Sequence, residues 1–154
     1  MKLSEGAIEG AGLSDVRAAR RRGDKAALEA SIPRLEKADL LALGALADVV
    51  RSEDVGDEVR IHLRGAPNDV PVLRGKGLEF LRRVAIARIT RGDRIAIDFG
   101  ECGFEFAQIA LGFGASELVG VAASKRGLPL ENSAKREKEM QGLVERCRRR
   151  AVLA

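Results

Sequence analysis

The chain has 154 residues, a net charge of +4, 45% hydrophobic residues and 3% aromatic ones, all of them Phe. That length suits one domain around one core. No apolar run approaches the roughly 20 residues that a membrane span needs, so a membrane partner is excluded at this level. The basic excess invites a nucleic-acid reading, but 23 acidic residues are interspersed with 27 basic ones. Single-strand binders also need exposed aromatic rings for stacking. A solvated, Arg-rich helical surface is therefore the expectation, and nucleic acid is not an expected partner.

The N-terminus MKLSEGAIEG carries acidic residues and no long apolar stretch, so it does not read as a signal peptide. Ser14 and Asp15 are placed to cap a helix over Val16–Arg22, interrupted by Gly23 and Asp24. A short helix over Lys25–Ser31 is expected to stop before Pro33. Leu35, Ala38, Ala42, Leu46, Val49 and Val50 recur at helical spacing and predict one amphipathic helix. After Gly56-Asp57, residues Glu58–Leu63 alternate apolar and polar, as a half-buried strand does. Arg64–Lys76, with two prolines and two glycines, reads as a loop.

A helix is expected from about Leu78 to Thr90, ended by Gly92-Asp93, then a strand over Arg94–Phe99. Phe104–Phe113 reads as an apolar helix with Gly114 as its cap. Leu118–Ala123 gives a third strand and Glu131–Arg149 a last helix with Met140, Leu143 and Val144 as its apolar stripe. Strand–helix–strand twice requires parallel pairing with right-handed crossovers. The expected fold is thus a single α/β domain: a helical part over residues 1–57, a βαβαβ core with a short three-stranded parallel sheet over 58–123, and a C-terminal helix over 124–154. A three-stranded sheet of this kind leaves open edges beside Glu58–Leu63 and Leu118–Ala123, which predicts a homo-oligomer or a partner protein.

The residues Ala107-Gln108-x-Ala110-Leu111-x-Phe113-Gly114-Ala115-x-x-Leu118-x-Gly120 resemble the closing strand–helix–strand of radical-SAM enzymes of the futalosine route to menaquinone and of deazaflavin-cofactor synthesis. The helix LRRVAIARI before them resembles the preceding segment of those enzymes. Residues 39–61, DLLALGALADVVRSEDVGDEVRI, resemble the helix and first strand that open them, and the tail KREKEMQGLVERCRRRAVL their final helix. Together the matches span about two thirds of the chain, in the family's order. The cluster motif C-x3-C-x2-C of that family is missing: the chain has two cysteines, Cys102 and Cys147, far apart. Two distant thiols fit a reducing cytoplasm and supply no disulfide framework. The resemblance therefore implies a non-catalytic binding or accessory module, or a subunit of a split enzyme completed by a partner chain. No cofactor is expected, and S-adenosylmethionine or a nucleoside is the ligand class the resemblance offers.

DFGECGFEFAQIALGFGASELVGVAAS also resembles the first motif of S-adenosylmethionine-dependent methyltransferases. The acidic residue that closes the next strand in that family is absent, since this one ends Val121-Ala122-Ala123. Both readings point to one place. Asp98, Gly100, Glu101, Cys102 and Gly103 follow a strand and precede a helix, where open α/β folds bind ligands. Arg64 and Asp98 are expected near the carboxyl ends of neighbouring strands, placed to give a ligand directional contacts. Cys102 is either a nucleophile lowered by a helix N-terminus or a small residue filling a tight turn. Glu101 and Glu105 offer carboxylates, Glu105 also suiting the first turn of its helix. His62, the one histidine, is expected exposed on its strand's polar face.

Overall fold

The computed structural model describes residues 2–92, 94–120 and 133–154. Among these residues eight helices and five strands run α1 (Lys2–Gly10), α2 (Ser14–Arg22), α3 (Lys25–Lys37), α4 (Leu40–Val55), β1 (Glu58–His62), β2 (Val72–Leu73), α5 (Gly77–Arg91), β3 (Ala96–Asp98), α6 (Phe99–Cys102), α7 (Phe104–Leu111), β4 (Glu117–Val119), α8 (Ser133–Arg146) and β5 (Arg150–Leu153). No helix among the described residues is long and apolar enough to cross a membrane.

The helical N-terminal part differs in its breaks from the pattern read above. The N-cap of α2 is Leu13, without a side-chain cap bond, so neither Ser14 nor Asp15 caps it. Asp24 instead caps α3, accepting from Ala27 N at 3.1 Å, and α3 runs through Pro33 to Lys37. Continuing past the proline buries Leu35 completely, and Arg82 donates to the carbonyls of Leu35 and Ala38 where the helix would leave them bare. The single helix expected from Leu35 to Val50 is therefore two. Ala38 is extended, and Asp39 caps α4 through Ala42 N at 3.0 Å.

The sheet is all parallel and has five strands in the order β2-β3-β4-β1-β5, not three. The expected strands shorten to Glu58–His62, Ala96–Asp98 and Glu117–Val119, and Phe99 opens α6 instead of closing β3. The expected extension of the third strand through Val121–Ala123 and the first residues of the last helix lie outside the described residues, as does Asp93. β2 forms inside the segment read as a loop, and β5 inside the tail read as the C-terminal helix. Both are too short to show period-two alternation, and pairing makes them strands: Val72 and Leu73 against Ala96 and Ile97, Arg150–Leu153 against Glu58–Ile61. The buried Arg149, which donates to the carbonyls of Asp57 and Leu111, fixes the start of β5 against β1. The open edges expected beside β1 and β4 do not exist, because each is paired on both sides. The sheet ends instead at β2 and β5.

Register lines up Leu73, Ile97, Leu118, Ile61 and Leu153 in one row across the sheet. All but the exposed Leu153 face the main core, built with Phe80, Leu81 and Val84 of α5, Ala107, Ala110 and Leu111 of α7, and Met140, Leu143 and Val144 of α8. A second core joins α1–α4 to the far side of α5 through Leu35, Leu43, Leu46, Ala85 and Ile89, and Phe113 touches both. Helix α5 is thus buried on two sides. Between the two cores lies Arg88, fully buried, which donates to Gly114 O at 2.8 Å, Ser116 Oγ at 2.7 Å, Gly92 O at 3.1 Å and Asp54 Oδ2 at 3.2 Å. Gly114, expected as the cap of α7, has the anticipated positive φ (105°), but α7 already ends at Leu111. Gly114 sits where an added Cβ would lie 2.7 Å from Arg88 Cβ, so the close approach itself requires glycine.

Strands β2, β3 and β4 step across the sheet in one direction with α5 and α7 on the core face. The return from β1 to β2 runs the opposite way, and a right-handed connection then has to cross the other face. Residues 63–71 do so. Val70 packs on Ala96 and Val119 there, and Asp69 pairs with Arg94.

Replacing Arg88 with methionine keeps the bulk and removes the charge, leaving Asp54 and the Gly114 and Gly92 carbonyls without that donor. Loss of about 3 kcal/mol or more is expected in urea unfolding at pH 7.

Candidate functional site

The turn after β3 is closed by its own side chains. Asp98 Oδ1 accepts from Gly100 N at 2.8 Å and Glu101 N at 3.3 Å, capping α6, while Oδ2 pairs with Arg74. Gly103 N donates to Phe99 O at 3.0 Å. The amides expected to stand open to an anionic ligand are therefore already engaged, and a four-residue helix offers little dipole besides. Glu101, Gly103 and Glu105 are exposed, with Glu105 in the first turn of α7. Arg64 is exposed too. It does not follow a strand next to that of Asp98, because β4 lies between β1 and β3. Arg74 takes the place expected of it.

Cys102 is buried, and burial pushes its thiol up to about 11, helped by the carboxylates of Asp98 and Glu101. It closes α6 instead of opening α7, so it faces a helix C-terminus, where a thiolate is disfavoured. Of its two expected roles, filling the turn is the one its surroundings suit. Gly103 has φ +86°, a left-handed value, and nothing lies within 4 Å of an added Cβ. A larger residue there meets backbone strain, not a steric block.

The main polar constellation lies elsewhere, on the sheet face crossed by residues 63–71. Register puts Arg60, Glu117, Ala96 and Val72 in one row and His62, Val119 and Asp98 in the next. His62 is not an exposed strand histidine. Its side chain is 11% accessible, and Nε2 lies 2.7 Å from Oε1 of Glu117, itself 3% accessible. Arg94 grips the same carboxylate with two donors, Nε to Oε2 at 2.8 Å and Nη2 to Oε1 at 2.9 Å, and reaches Asp69 with Nη1 at 2.6 Å. Burial pushes the Glu117 carboxyl up, but the hydrogen bonds from Arg94 and His62 outweigh it and hold it below the ordinary glutamate value. Hydrogen bonding to Glu117 in turn raises Arg94. An ionised Glu117 can only accept, so His62 Nε2 donates to it.

A cavity of about 230 Å³ opens beside this network, lined by Asp54, Glu58, Arg60, Arg94, Ser116 and Glu117. Each arginine in it is paired: Arg94 with Glu117 and Asp69, Arg60 with Glu58. Asp54 is held by Arg20 and Arg88. The arrangement orients a histidine on a carboxylate and leaves no lining charge uncompensated. Among the described residues no group of three or more His, Cys, Asp or Glu side chains is placed to hold a metal. No protein-family model, curated protein or solved structure matches the chain.

Sequence reasoning missed Glu117, Arg94 and Asp69. Glu117 opens a strand whose other residues are apolar, and that signal, a lone carboxylate entering a buried strand, is the one that was available. Its partners come from 55 and 23 residues away and are joined only by the strand order.

Two substitutions test these assignments. Glu117→Gln is expected to cost about 2 kcal/mol at pH 7, measured by urea unfolding. Because the folded value is depressed, the wild type's advantage is complete above about pH 4.5 and shrinks as pH falls through the folded value. Gly103→Ala is expected to destabilise by about 1 kcal/mol, and Gly103→Asn by less, since asparagine tolerates the left-handed region.

Proposed function

We propose that the chain is a non-catalytic small-molecule-binding or accessory module, related to the radical-SAM enzymes of menaquinone and deazaflavin-cofactor synthesis that its segments resemble. The observation that carries the non-catalytic reading is the closed state of the chemically promising groups. Asp98 is spent on capping and on Arg74, the Cys102 thiol is buried and raised to about 11, and Glu117 is held by Arg94 and His62. Groups locked in this way support a fold and a binding surface better than proton or group transfer. With only two cysteines, three clustered thiolates for an iron–sulfur cluster are lacking.

A second reading, a subunit completed by a partner chain, is favoured by where apolar side chains stay exposed. Leu41, Leu78 and Phe104 open α4, α5 and α7, with 76%, 64% and 39% of their surface accessible. Strands β2 and β3 deliver the chain to α5 and α7 at the carboxyl edge of the sheet, so Leu78 and Phe104 mark that edge as a surface for protein contact. A homo-oligomer would serve equally to cover it.

Anaerobic reconstitution with iron and sulfide separates these readings. The chain alone is expected to take up no stoichiometric cluster and to leave S-adenosylmethionine uncleaved, read by iron content and by chromatography of the nucleoside products. A reproducible four-iron centre would overturn the non-catalytic reading. Calorimetric titration with S-adenosylmethionine and adenosine tests the ligand class, and no saturable heat up to about millimolar concentration would leave the protein-contact role alone standing.

A further inference from the structure

The edge strand β2 is only two residues long, so the sheet stops short of covering the C-terminal half of α5. The side chain that α5 presents there is Ala87, which is too small to fill the gap. A slot of about 170 Å³ results, walled by Pro71, Leu73, Ala87, Ile95 and Ala96. An apolar cavity of roughly 150 Å³ is enough to admit benzene, so the slot holds one ring or one branched aliphatic group.

Two arginines line this apolar space, Arg91 and Arg94. Arg94 is committed to Glu117 and Asp69. Arg91 is exposed at the end of α5, and among the described residues no carboxylate pairs with it. An apolar body with a single cation at its rim is complementary to one class of small molecule. We propose that this slot binds a small monocarboxylic acid with a compact apolar body, its ring or branched chain between Ala87, Ile95 and Leu73, and its carboxylate on Arg91. The nearby carboxylates of Asp69 and Glu117 and the carbonyls ending α5 oppose an anion there, so the affinity is modest, about millimolar. The slot needs no particular ancestry for the chain, and it is distinct from the turn at Gly100.

Benzoate is a suitable probe, with benzamide as its neutral counterpart, followed by amide chemical-shift mapping on the full chain. Saturable shifts centred on Leu73, Ala87 and Ala96 are expected with benzoate, and binding at least about tenfold weaker with benzamide. Arg91→Gln, a change at an exposed position, should weaken benzoate by about tenfold while leaving the spectrum folded. Ala87→Leu fills the slot and should abolish the shifts. If that variant fails to fold, the Arg91→Gln comparison decides alone. Absence of saturable shifts, shifts centred elsewhere, or equal binding of benzoate by Arg91→Gln would overturn the proposal.

Discussion

Arg88 is the constraint around which the two cores are arranged. A fully buried guanidinium carries a desolvation cost of several kcal/mol, which is tolerable only where its donors find acceptors. Those four acceptors come from three separate places: Asp54 at the end of α4, Gly92 after α5, and Gly114 and Ser116 ahead of β4. Each must be in position for the others to be useful. The group therefore couples the N-terminal helices to the sheet and dictates glycine at position 114. Asp54 extends the link to Arg20, so α2 is tied to the same centre. An apolar side chain at position 88 would pack the interface without specifying how α4, α5 and β4 meet.

The second organising element is the direction of the β1–β2 connection. With α5, α7 and α8 packed on one face, the handedness of parallel connections leaves only the opposite face for residues 63–71. That face would otherwise be open to water, and its residues show the compromise. Ala96, Val119 and Val70 form a small apolar patch, while Glu117, buried beneath a thin cover, needs both Arg94 and His62 to hold its charge. The polar network is thus a consequence of covering half a sheet with an irregular segment.

The same geometry explains why the turn after β3 looks like a ligand site in sequence and behaves as a structural one. Glycines on either side of Glu101-Cys102 suggest exposed amides. Asp98 supplies the acceptor that a ligand would have offered, and it does so because α6 is a single turn that needs a cap. Nothing in the order Asp-Phe-Gly-Glu-Cys-Gly distinguishes an aspartate that caps the turn from one that holds a ligand.

Much of the fold was legible because local patterns carried it. The alternation of Glu58–Leu63, the apolar band of α5 and the glycine-bounded strand before Phe99 each express one buried face, and that is enough to place an α/β unit with parallel pairing. The break at Asp24 was legible too, whereas the one at Asp39 was not, since a helix across Pro33 is stabilised only by Leu35 in a distant core and by Arg82 from another helix. The strands β2 and β5 had no local signature at all: two and four residues become strands by pairing with partners already formed. The union of His62, Glu117 and Arg94 belongs to the same category. Sequence by itself determined which segments bury a face. Only the tertiary structure decided which of those faces meet, because strand order and the side taken by a crossover depend on packing between residues far apart in the chain.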